Sequence, residues 1–191
     1  PDLMTWLNRN PLVEFQGIDK VFTPAQIGQN PGFVAVLPAR KVDLSGRIAL
    51  HFGKGNVTAG PGDIMDLFRG AELSRGGMTI FGLPSRNRDR QPNILISVED
   101  FPNQLSIREA VDMVITEYGV ASLSGRTVRE RAQALIEIAH PDDRLNLVRQ
   151  AKKQKIIYQD QIFLAESAHL YPVEINFQHT FKEGVKVRFR A

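Results

Sequence analysis

Between residues 112 and 144 the spacing of apolar positions changes character. Met113, Val114, Ile115 and Thr116 make a short, apolar, β-branched run, which predicts a strand buried on both faces. Glu117, Tyr118 and Gly119 then place polar and flexible chemistry at that strand's carboxyl end. Ligands of open α/β sheets bind at such ends, where loops gather beside helix amino-termini. A loop is expected next, and then Thr127 and Glu130 form a T-x-x-E capping box, so a helix starts at Val128. Val128, Ala132, Leu135, Ile136 and Ala139 recur three or four residues apart and give it one apolar stripe. Pro141 stops this helix and opens a second, with Asp142 and Asp143 in its first turn and Lys152, Lys153 and Lys155 near its end, both favourable to the helix dipole.

The same reading applied from the amino end predicts a short helix capped by Asp2, with Leu3, Trp6 and Leu7 on one face and Trp6 in the core, closed by Asn10-Pro11. Residues 13–18 read as a strand. Thr23, Pro24 and Gln26 make a second capping box, with a helix to about Gln29 and a turn at Asn30-Pro31-Gly32. Residues 33–37 are a candidate buried strand, and 42–44 with 47–52 flank Ser45-Gly46 as a hairpin. Ile64, Leu67, Phe68 and Ala71 give a helix its apolar face. Residues 78–84 and 94–98 read as strands, and Ser106 with Glu109 forms a third capping box. Near the end, Val185, Val187 and Phe189 alternate with Lys186, Arg188 and Arg190, as in a half-exposed strand.

Composition narrows the class. A chain of 191 residues suffices for one domain burying roughly 70% of its unfolded surface. Without cysteine, disulfides and thiolate metal sites are excluded. The formal charge of +3 is too small and too dispersed to argue for nucleic acid. No long apolar run and no leader is visible, so no membrane is expected and a cytoplasmic protein is. The first residue is Pro1 rather than Met, which suggests a piece of a longer protein.

Four glycines fall within residues 53–62, immediately before a helix, and this stretch could hold a phosphate or a thioester oxygen on its backbone N–H groups. The residues alone weigh equally for a plain flexible turn. Arg86, Arg88 and Arg90 suit either a phosphate contact or a solvated loop. His51, His140, His169 and His179 lack metal-ligand spacing, so no metal site is expected. No G-x-S-x-G begins a catalytic triad.

The run from Val114 to Arg144, VITEYGVASLSGRTVRERAQALIEIAHPDDR, resembles the carboxyl-terminal domain of the acetyl-CoA hydrolase/CoA-transferase family, with its TEYG strand end, RERA helix and AHP-D-R turn. LMTWLNRNPLVEF, KVDLSG and AGPGDIMDLFRGA resemble upstream segments of that domain, so the likeness runs from about Leu3 to Arg144. It implies an α/β fold of the CoA-transferase type, a mainly parallel or mixed sheet flanked by helices. It also implies coenzyme A as the substrate thioester, with acyl-CoA and a small carboxylate or water as partners, and it leaves room for a homo-oligomer.

Such families act through a glutamate that attacks the thioester, with backbone N–H groups stabilising the oxyanion. By resemblance that glutamate lies upstream of this chain, so no catalytic nucleophile is expected here. Thr58, Gly60 and Gly62 of the glycine-rich loop, facing Glu117, Tyr118 and Gly119, are the expected CoA and acyl contacts, with Glu117 shaping the site. The chain departs from the family pattern at Leu37, Pro38, Lys41 and Asp63, where relatives carry Asn, Ser, Glu and Gly. These departures keep open a second reading, a non-catalytic CoA-sensing or interaction module. The closing TFKEGVKVRFRA resembles the junction to a GNAT acetyltransferase domain in bacterial fusions, so residues 1–172 are expected to form the CoA-transferase-like part and 173–191 a linker or the first strand of a following domain.

Overall fold

The computed structural model of the chain describes residues 2–50, 64–101, 104–105 and 111–162. In chain order the elements are α1 (Leu3–Leu7), α2 (Ile18–Val21), α3 (Pro24–Gly28), β1 (Val34–Pro38), β2 (Lys41–Asp43), β3 (Ile48–Ala49), α4 (Ile64–Leu73), β4 (Met78–Gly82), β5 (Ile94–Leu95), β6 (Gln104–Leu105), β7 (Met113–Thr116), β8 (Gly119–Ser122), α5 (Val128–Glu137) and α6 (Pro141–Lys153). They form two four-stranded sheets, ordered β1-β4-β7-β8 and β5-β2-β3-β6. In the first, β1, β4 and β7 run parallel and β8 returns antiparallel; in the second, β2 and β5 are parallel and the other pairs antiparallel. This is the expected α/β class with mixed sheets and flanking helices.

Local chemistry fixes the helix starts. The Asp2 carboxylate accepts from the Met4 N–H, and the Thr23 hydroxyl from the Gln26 N–H. Thr127 and Glu130 complete the capping box in both directions, leaving two fewer orphan donors in the first turn of α5. His140 caps α6, its Nδ1 accepting from the Asp142 N–H, with Pro141 at the first helical position.

The hairpin of β2 and β3 is closed by Asp43, which is fully buried. Its Oδ1 accepts from the Ser45 N–H, the Ser45 hydroxyl and the Arg47 N–H, and its Oδ2 from Arg47 Nε at 2.8 Å and from the Val98 N–H. Gly46 takes φ +92° in that turn, a conformation open to glycine. The core between the sheets and helices centres on Leu44, Ile48, Phe81, Ile94, Val114, Leu123, Leu135 and Ile136. Phe68 of α4 meets Phe81 of β4 edge-on, with ring centroids 5.7 Å apart.

Four expectations are corrected. Trp6 is not in the core but 51% exposed, and neither α1 nor α2 buries a residue among those described. Residues 13–17 form no strand, since no described strand pairs with them, and Ile18 instead begins α2. β1 is not a buried strand but, among the described residues, the edge of its sheet, with Val34 47% and Val36 67% exposed. The stretch after Tyr118 is not a loop but β8, so the TEYG segment turns back as a hairpin.

Candidate functional site

Glu117 and Tyr118 are the two turn residues of the β7–β8 hairpin, closed by the pairing of Thr116 with Gly119. The hairpin is pinned from below. The buried Thr116 hydroxyl donates to the Ile138 carbonyl at 2.6 Å, beyond the end of α5, and accepts from the Tyr118 N–H at 3.1 Å. Because β4 runs parallel beside β7, its continuation Leu83–Pro84–Ser85 arrives at the same carboxyl edge. There the Ser85 N–H donates to Glu117 Oε2 at 2.8 Å, and the Ser85 hydroxyl to Oε1 at 2.6 Å. Each carboxylate oxygen thus has one fixed donor and lone pairs to spare.

Tyr118 lies edge-on to His140, with centroids 5.4 Å apart, and the Arg144 guanidinium sits over the tyrosine ring at 5.6 Å. Burial raises the Tyr118 phenol above its ordinary pKa, and the Glu117 charge adds to this. Arg144 is 5% exposed, and its Nε donates to the Ala139 carbonyl. Burial lowers its pKa, as expected for a cation with little water around it.

Arg86 leaves the same edge but does not stay in solvent. Its Nε and Nη2 grip both Asp143 oxygens at 2.8 and 2.7 Å, and Nη1 reaches Asp142 at 3.3 Å. The planar guanidinium therefore ties the loop after β4 to the first turn of α6 and is committed to carboxylates rather than to a phosphate. Beside this loop, Asn93 donates its side-chain amide to the Pro84 carbonyl and its N–H to the Ser85 carbonyl. Lys41 donates to the Pro92 carbonyl.

Of the residues expected to line the site, Glu117, Tyr118 and Gly119 share one hairpin turn. Thr58, Gly60 and Gly62, with Asp63, lie outside the described residues, as do His51, His169, His179, the Ser106 capping box and residues 173–191. Among the described residues no group of three or more His, Cys, Asp or Glu side chains is placed to hold a metal. Likewise, no described helix is long and apolar enough to cross a membrane. A surface depression lined by Gln16, Asp19, Lys20, Val21, Thr23, Gln26 and Asn30 includes none of the residues around Glu117. Reading the sequence missed Ser85 and Arg144 as parts of this edge. The signal for Ser85 was its place just past a predicted strand, but its partner is 32 residues away.

Residues 1–151 match the family described as acetyl-CoA hydrolase/transferase C-terminal domain. A 4-hydroxybutyrate coenzyme A transferase of Clostridium kluyveri is 37% identical over 153 residues, covering 80% of this chain and 36% of that protein. A succinyl-CoA:acetate/propanoyl-CoA:succinate CoA transferase of Fasciola hepatica is 34% identical over 148 residues, covering 76% and 31%. Among solved structures, RipA from Yersinia pestis superposes with a TM-score of 0.68 at 30% identity, covering 80% of this chain and 34% of that one. A 4-hydroxybutyrate CoA-transferase from Porphyromonas gingivalis gives 0.62 at 32% identity, covering 78% and 34%. The chain spans about a third of the length of these relatives.

Proposed function

The chain belongs to the acetyl-CoA hydrolase/transferase family as a carboxyl-terminal domain, and on that premise we propose that it supplies one wall of a site that transfers CoA between an acyl-CoA and a small carboxylate. The observation that carries this reading is the Glu117 carboxylate, held by two Ser85 donors at the carboxyl edge of the parallel strands. The names of the relatives support the reaction class.

The nucleophile is a glutamate upstream of this chain. Its carboxylate attacks the thioester carbonyl, the C–S bond breaks, and CoA leaves as thiolate from a mixed anhydride. CoA then attacks the glutamyl carbonyl, releasing the first acid and leaving glutamyl-CoA; the acceptor carboxylate runs the two steps in reverse. With water in place of the acceptor the result is hydrolysis. Thr58, Gly60 and Gly62 approach the ligand with backbone N–H groups, and Glu117, Tyr118 and Gly119 shape the opposite side. The second reading, a non-catalytic CoA-sensing module, draws on Leu37, Pro38 and Asp63, since a carboxylate in the first helical turn competes with an anion for the same N–H groups. Residues 173–191 are proposed as the junction to a following GNAT acetyltransferase domain, and the protein as a cytoplasmic one, able to form homo-oligomers.

Assays of the chain alone and of a protein carrying the upstream part, with several acyl-CoA donors and carboxylate acceptors, test this. The chain alone is expected to show no turnover and the longer protein to transfer CoA. Turnover by the chain alone that disappears in Glu117→Gln would make Glu117 the catalyst and overturn the assignment. A longer protein that binds CoA without turnover would favour the sensing module.

A further inference from the structure

Lys41 is 7% exposed and offers three N–H donors, of which the Pro92 carbonyl takes one. No carboxylate among the described residues pairs with it. Burial lowers its pKa, and the neighbouring Arg40 charge lowers it further, so the surroundings of this amine are short of negative charge. The Arg40 side chain is exposed and makes no ion pair among the described residues. Beside Lys41, one step before the Val42–Ile94 pair of the parallel strands β2 and β5, stands Asn93. Residues at matching steps of paired strands share a face of the sheet. Asn93 is 4% exposed; its amide nitrogen is used by Pro84, and its Oδ1 is buried without any donor. Spare donors and an orphan acceptor thus belong to residues at matching steps of two paired strands, although buried polar groups are in general partnered.

Its position is telling. The Ala39 N–H donates to the Gly82 carbonyl, so the chain reaches Lys41 directly from the carboxyl ends of β1 and β4. Asn93 is joined to Ser85, which holds Glu117. Lys41 also pairs with Ala49 of β3, four residues before the glycine-rich stretch begins.

We propose that Lys41 and Asn93 form a carboxylate subsite, at which the spare Lys41 N–H groups bind the carboxylate of a short organic acid, the nearby Arg40 charge adds to its attraction, and a water held by that carboxylate donates to Asn93. A carboxylate is compact and singly charged, matching one buried ammonium, and its bound water supplies the hydrogen that Asn93 lacks. The ligand class rests on the proposed reaction. The unsatisfied groups do not.

The test uses the full 191-residue chain. Reductive methylation followed by peptide mapping reads the reactivity of Lys41 with and without acetate, butyrate or succinate, against chloride at equal ionic strength and against 3′-phosphoadenosine. The acids are expected to protect Lys41, and calorimetry should show affinity falling about tenfold in Lys41→Met but staying within about threefold in Lys41→Arg, as for loss or retention of a charged hydrogen bond. Absence of protection by any acid, protection by 3′-phosphoadenosine alone, or equal affinity in the methionine variant would overturn the proposal. If Lys41→Met does not fold, the protection measured on the unaltered chain decides. Carboxylate protection of Lys41 combined with no CoA transfer by the longer protein would sink the reaction while leaving the subsite standing.

Discussion

Ser85 gives both its backbone N–H and its hydroxyl to the carboxylate of Glu117, across 32 residues of chain. Removing the hydroxyl leaves one carboxylate oxygen without its fixed partner, yet that oxygen is close enough to water to recover. Ser85→Ala is therefore expected to cost about 1.5 kcal/mol of stability, at the low end for hydrogen bonds to charged groups. Urea denaturation checks it. In the longer protein the same variant should lower CoA transfer less than Glu117→Gln does, because the backbone donor persists.

Asp43 is the opposite case, a buried carboxylate whose donors include the guanidinium of Arg47. Asp43→Ala strands Arg47 and the N–H groups of Ser45, Arg47 and Val98 together, so a loss of about 3 to 5 kcal/mol is expected. Unfolding midpoints of Asp43→Ala and Asp43→Asn compare the two. The asparagine variant should be the milder, as it keeps one acceptor oxygen.

Gly70 in α4 has no room for a side chain. A Cβ there would stand 2.4 Å from both Cβ and Cγ2 of Ile27 in α3. Helix propensity alone would favour Gly70→Ala by about 1 kcal/mol, but the clash of two packed helices should outweigh it and give a net loss of about 1 to 3 kcal/mol. Pairing it with Ile27→Ala should recover part of that loss in a double-mutant cycle. Strict additivity of the two would contradict this packing.

Two groups make the stability depend on alkaline pH in opposite senses. The Lys41 amine is depressed in the folded chain, so the unfolded state binds more protons from the folded pKa up to about 10.4, and stability rises with pH across that window. The Tyr118 phenol is raised by burial and by Glu117. The unfolded state loses that proton first, above about 10, so stability then falls as pH rises towards the folded pKa. Lys41→Met should flatten the rise and Tyr118→Phe the fall. Denaturation midpoints between about pH 8 and 11 at fixed salt would show both.

Residues 173–191, if they belong to a following domain, should exchange their amides faster than α5, because a strand without its sheet leaves its backbone groups open. Equally strong protection in both would make the tail an integral part of this domain.

What the sequence revealed was local. The N-cap at Thr23, the capping box at Thr127, Pro141 at a helix start and the turn at Gly46 each depend on residues within four positions of one another, and each is where the pattern placed it, although at Thr23 only the Thr23 half of the expected box forms. Whether an apolar residue is covered depends on distant chain, so Trp6 and Val36 were misplaced. β8 escaped notice because its four residues, GVAS, carry a strand pattern too short to stand out from a loop. At the site, Glu117, Tyr118 and Gly119 were legible as a strand end. The Ser85 and Arg144 contacts were not, since they require β4 and α6 to be laid beside the hairpin first.

That requirement gives the Ser85–Glu117 bond a second meaning, in time rather than in space. The β7–β8 hairpin and the adjoining helices α5 and α6 are contiguous in sequence and can form early, whereas bringing β4 against β7 must close a loop of some thirty residues. Until that closure the Glu117 carboxylate is loose; after it, both oxygens are fixed. An ordered Glu117 is thus a marker that the parallel pairing is complete, and a chain stalled before this step would carry the TEYG turn intact yet present its carboxylate without direction.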